Sequence, residues 1–98
     1  MNEQAWPFDQ GPNVAAITTR GVVFSGAPVL LVAHYSDDDG WGFMDGRLVT
    51  MADMAVVSMA EAVQRDATLR EIADLPPGWT ATRPRVGAPW VRSPDESI

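Results

Sequence analysis

A chain of 98 residues holds one domain around a single core, which excludes a two-domain enzyme with separate cofactor and substrate units. Thirteen acidic residues face seven basic ones, all of them Arg, for a formal net charge of −6. Proteins that seek nucleic acid or anionic membrane need a basic face, so bulk charge argues against both partners. With no cysteine, disulfides, thiolate zinc sites and cysteine nucleophiles are ruled out. The first residues carry no basic and apolar leader pattern. The longest apolar run, Val29 to Ala33, is far short of the roughly 20 residues that span a bilayer. The expected location is the cytoplasm.

Residues 1–13 contain Pro7, Gly11 and Pro12 beside Trp6 and Phe8, which predicts an irregular N-terminal arm anchored by its rings. Val14 to Thr19 is β-branched and opens the main domain, 14–92, as a strand. Gly21 to Ala27, with two glycines, reads as a short irregular segment. Val29 to Tyr35 is apolar on both faces and predicts a central strand, ending in the polar loop Ser36-Asp37-Asp38-Asp39-Gly40. Trp41 to Met44, then Asp45-Gly46, then Arg47 to Thr50 predicts a two-residue hairpin, since Asp-Gly suits two central positions at positive φ.

Residues 50–65 admit two readings. Met51, Met54, Ala55, Ser58, Met59 and Ala62 share one helical face, which fits a single helix capped by Thr50. Val56 and Val57 fall off that face, and Ser58-Met59-Ala60-Glu61 is a capping box. The favoured reading is a turn at 51–54, a strand at 55–58 and a helix at 59–65. A second helix over 66–73 starts at the capping Asp66 and is stopped by Pro76-Pro77-Gly78. Trp79 to Arg83 alternates as a strand, with Trp79, Ala81 and Arg83 on one face. Pro84, Pro89 and Pro94 punctuate the C-terminal stretch, and 93–98 is expected to be a tail. The fold class expected is α+β, a single small domain with a four- or five-stranded, mostly antiparallel sheet and two short helices on one face.

The charge is concentrated. Residues 1–64 hold eight acids and only Arg20 and Arg47, whereas 65–98 hold five of each sign. Four of the acids lie between Asp37 and Asp45, beside Trp41. An aromatic anchor with an acidic rim suits a basic protein partner, so Asp37, Asp38, Asp39, Trp41 and Asp45 form the candidate protein-binding site. The competing reading for Trp41 is a core position beside a solvated loop. Arg83, Arg85 and Arg92 pair with that loop or meet a second partner. As a calcium loop, Asp37, Asp39, Gly42 and Asp45 match positions one, three, six and nine of an EF-hand. Trp41 stands at position five, however, and Leu48 at twelve, where a bidentate Glu is required. No metal site, cofactor or catalytic residue is therefore assigned. His34, the sole histidine, lies on the Leu30 and Val32 face and fits a hydrogen-bonded core histidine better than a general base.

The order of an apolar strand, an Asp-rich loop, Trp-x-Phe, VVSM and DATLREIADLPPGW resembles a group of short bacterial proteins of unknown function, loosely similar to immunity proteins. The resemblance spans 14 to 92, is sharpest at Asp74 to Trp79, and implies a small α+β domain without transferable catalytic residues. The leading function is a non-catalytic module that binds another protein, such as a toxin it neutralises. The alternatives are a small hydrolase or metal-dependent enzyme using His34 with Asp37–Asp39, and an accessory subunit acting as a homodimer.

Overall fold

The structure, a computed structural model, describes residues 5–46 and 51–98. Six strands, β1 (Ala15–Thr19), β2 (Leu31–His34), β3 (Trp41–Met44), β4 (Met54–Ser58), β5 (Trp79–Thr82) and β6 (Val91–Pro94), form one sheet in the order β4-β1-β3-β2-β5-β6. The β1–β3 pair is parallel and the other four pairs are antiparallel, so the α+β class holds with a larger and mixed sheet. Two α-helices, α1 (Arg20–Ser25) and α2 (Met59–Arg65), are accompanied by 3₁₀ helices at Met51–Asp53 and Ala67–Ile72.

Local chemistry explains each element. Gly21 to Ala27, expected to be irregular, is helical because its ends are capped. The Thr19 hydroxyl accepts the Val22 N–H at 3.2 Å, and Gly26, at φ +70°, stops the helix while the Ala27 N–H reaches the Gly21 carbonyl at 3.0 Å. Residues 51–65 take the turn–strand–helix path, with Ser58 capping α2 by accepting the Glu61 N–H at 3.0 Å. The second helix is 3₁₀ rather than α. Asp66 closes α2 through its N–H to Ala62 and opens the next turn by accepting the Thr68 N–H at 3.0 Å.

The hairpin lies elsewhere than Asp-Gly implied. β2 and β3 pair directly, closed by the Tyr35 N–H to the Gly40 carbonyl at 2.8 Å over the loop Ser36–Asp39. Both edges of β3 are thereby occupied, by β1 and β2, so β3 does not enter a hairpin at Asp45-Gly46. Residues 47–50, including the proposed second strand and the Thr50 cap, lie outside the described residues. The Pro-punctuated C-terminal stretch also contains a strand, β6. As an edge strand it tolerates Pro94, and Arg92 anchors it by donating to Asp74 at 2.7 Å and to the Glu71 carbonyl at 2.8 Å.

Alternation along the strands gives the sheet two faces. Ala16, Val32, Trp41, Phe43, Val57 and Ala81 point to the core, packed by Met59, Ala62 and Val63 of α2 and by Leu69, Ile72 and Leu75. The opposite face follows the row Val56, Ile17, Gly42, Ala33, Thr80 and Ser93 across all six strands. Arg83, just past β5, is buried at the core edge. It donates to the Val29 carbonyl, to Thr68 Oγ1 at 2.9 Å and to Asp66 Oδ2 at 2.7 Å, and its guanidinium lies 4.1 Å from the Trp90 ring centroid. One side chain thus ties together the entry to β2, the exit of β5 and the junction after α2.

Candidate functional site

The acidic loop stands on a buried base. Trp41 and Phe43 alternate inward on β3, so Trp41 is 1% exposed. The Trp41 ring stacks on His34 with centroids 4.1 Å apart and takes the edge of Phe8 at 5.0 Å. Phe8 comes from the N-terminal arm, which is thereby docked rather than loose. Gln10 of the same arm accepts the Trp41 indole N–H at 2.6 Å through its side-chain oxygen. Its amide donates to the Asp39 carboxylate at 2.9 Å, and the Trp6 indole donates to its carbonyl at 2.6 Å.

His34 belongs to this base. Its Nδ1 lies 2.6 Å from the Leu75 carbonyl, which can only accept, so Nδ1 carries the proton. Its Nε2 lies 2.8 Å from Asp39 Oδ1 without hydrogen-bond geometry. Asp39 holds a left-handed backbone at φ +62°, unusual for a residue with a Cβ and tolerated best by Asn and Asp. The ring is 3% exposed beneath Trp41. His34 and Asp39 are therefore within reach of each other, yet no solvent-open face of the imidazole is available to a substrate.

Of the five predicted contact residues, Asp37, Asp38 and Asp39 are exposed at the loop. Trp41 and Asp45 are corrections: both are buried, Trp41 because β3 alternation turns it inward and Asp45 because it follows β3 into the packed interior. Among the described residues, Arg83 and Arg92 pair away from the loop. Arg83 binds Asp66 and Arg92 binds Asp74, whose carboxyl is held below the usual carboxylate range chiefly by that hydrogen bond. Phe8 anchors the arm as its ring implied, whereas Gln10 was missed by sequence reasoning, since no local pattern marks contacts 29 and 31 residues away. Among the described residues, no three His, Asp or Glu side chains are grouped to hold a metal ion, and no helix is long and apolar enough to cross a membrane.

Tyr35 joins the loop to the open sheet face. A Cβ on Gly42 would stand 2.7 Å from the Tyr35 hydroxyl, so the phenol lies across that glycine. Burial first, then the charges of Asp38 and Asp37, push the Tyr35 pKa above its ordinary value of 10.0. It is the only tyrosine, so phenolate absorbance reads it alone. The folded protein should titrate above the unfolded chain, and D37N/D38N should move the midpoint down. Because the folded pKa is the raised one, this contribution to stability is complete below the unfolded value and is lost as pH rises through the folded one. The urea midpoint should accordingly fall above about pH 10. Comparison with protein families, curated proteins and solved structures finds no match for this chain.

Proposed function

We propose that the chain is a non-catalytic protein-binding module, an acidic inhibitor of the immunity type that engages a basic protein. The observation that carries this reading is the placement of Asp37 and Asp38 in solvent on a loop whose base is clamped by Gln10, His34 and Trp41. Charges presented on a preorganised loop lose little conformational freedom on binding, and a net charge of −6 attracts a cationic partner over long range. The enclosure of His34 favours binding over acid–base catalysis as its role, with the imidazole serving as a prop for the loop.

Affinity capture from the native host's lysate tests the reading. The immobilised chain should retain a basic protein at low ionic strength and release it as salt is raised. The D37N/D38N variant should retain clearly less, because rim charges act mainly on association. Retention of no protein by the wild-type chain, or retention indifferent to both salt and these two charges, contradicts the proposal.

A further inference from the structure

An antiparallel sheet that turns one face to water normally alternates apolar inside with polar or charged outside. The outward face of this sheet breaks that rule. None of its outward strand positions carries a charge, in a chain with 20% charged residues. Ile17, Leu31, Met44, Val56 and Val91 all point outward, with Val56 69% and Val91 65% exposed. The helices lie on the other face, through Met59, Ala62, Val63, Leu69 and Ile72. An uncharged face with exposed apolar side chains is the kind of surface that soluble proteins use for interaction.

Charge selects the occupant. Asp37 and Asp38 lie at one end of this face, close enough to Tyr35 to raise its pKa, and Tyr35 itself lies across Gly42 in the middle row. A second copy of the chain would bring the same −6 charge and the same acidic loop, so like charges would oppose the pairing. A partner of opposite sign meets both features at once.

We infer that the open face of the sheet is the docking surface, and that it receives an apolar patch of a basic protein whose cationic flank meets Asp37 and Asp38. The inference rests on the protein-binding reading and gives it a surface. Apolar contacts with the exposed side chains of this face hold the complex, and the acidic end orients it.

Site-specific photo-crosslinking in host cells tests it, with p-benzoylphenylalanine placed at Val56, at Thr82 or, as a control on the helical side, at Gln64. All three positions are either exposed strand positions of the open face or exposed on α2. Adducts to a basic protein from positions 56 and 82, with none from 64, support the inference. In parallel, V56D should lower capture of that protein by about tenfold while the circular dichroism spectrum stays unchanged. Adducts from position 64 alone, adducts that are dimers of this chain, or adducts to lipid overturn it, as does capture undiminished by V56D. An absence of adducts also overturns it. In that case a basic protein still retained in the affinity capture would leave the binding reading standing without this surface.

Discussion

Replacing Arg83 with Met should lower unfolding free energy by about 3–5 kcal/mol, measured as a drop in the urea midpoint at constant slope. The Arg83 side chain is fully enclosed and its partner Asp66 is 14% exposed, so the substitution strands a nearly buried carboxylate. It also removes the donors to the Val29 carbonyl and to Thr68. Most of the loss comes from that uncompensated charge rather than from the ion pair itself, because desolvation offsets much of a buried pair's attraction. Adding D66N to R83M should therefore recover about 1–2 kcal/mol, since Asn keeps an acceptor for the Thr68 N–H without the charge. A cost below about 1 kcal/mol for R83M would show that the three-way tie is not needed to hold the sheet ends together.

Trp41→Ala should cost about 3–5 kcal/mol, the range for removing a large buried aromatic. The indole stacks on His34, lies near-parallel to Phe43 with centroids 6.0 Å apart, meets Phe8 edge-on, and donates to Gln10. Its loss leaves a cavity and an unanswered Gln10 oxygen, so the N-terminal arm and the acidic loop should loosen together. Amide hydrogen exchange checks this: protection near Gln10 and near Gly40 should fall in concert in the variant, while protection in α2 changes less. Trp41→Phe fills most of the space and should cost less than half as much. Equal costs for Ala and Phe would mean that the indole hydrogen bond, rather than packing, fixes the loop.

How far the sequence revealed this arrangement depends on the range of each interaction. The run from Val29 to Tyr35 marked a central strand because its apolar residues are continuous, and β2 is indeed paired along both edges, with β3 and β5. The Ser58 capping box separated β4 from α2, since its hydrogen bond spans only three residues. The α1 helix escaped notice because six residues carry no readable period, although its end signals, Thr19 and Gly26, were present. Asp45-Gly46 was a true turn signal in chemistry, with Gly46 at φ +86°, but the strand before it, β3, pairs with β1 and β2 on its two edges. In the candidate site, the solvation of Asp37, Asp38 and Asp39 was legible from composition alone. For Trp41 the sequence left two readings, an interface anchor and a core position beside a solvated loop, and the pleat of β3 turns it inward. The pairing of Gln10 with Asp39 and Trp41, and of Arg83 with Asp66, depends on tertiary placement that no local window contains.

The protein-binding account meets its most direct test in the association rate of the captured basic protein with the wild-type chain and with D37N/D38N, measured across ionic strength. The account predicts a wild-type rate that falls steeply with salt, and a variant rate about tenfold lower at low salt that converges on wild type as salt rises. Equal rates for the two proteins at every ionic strength would contradict it.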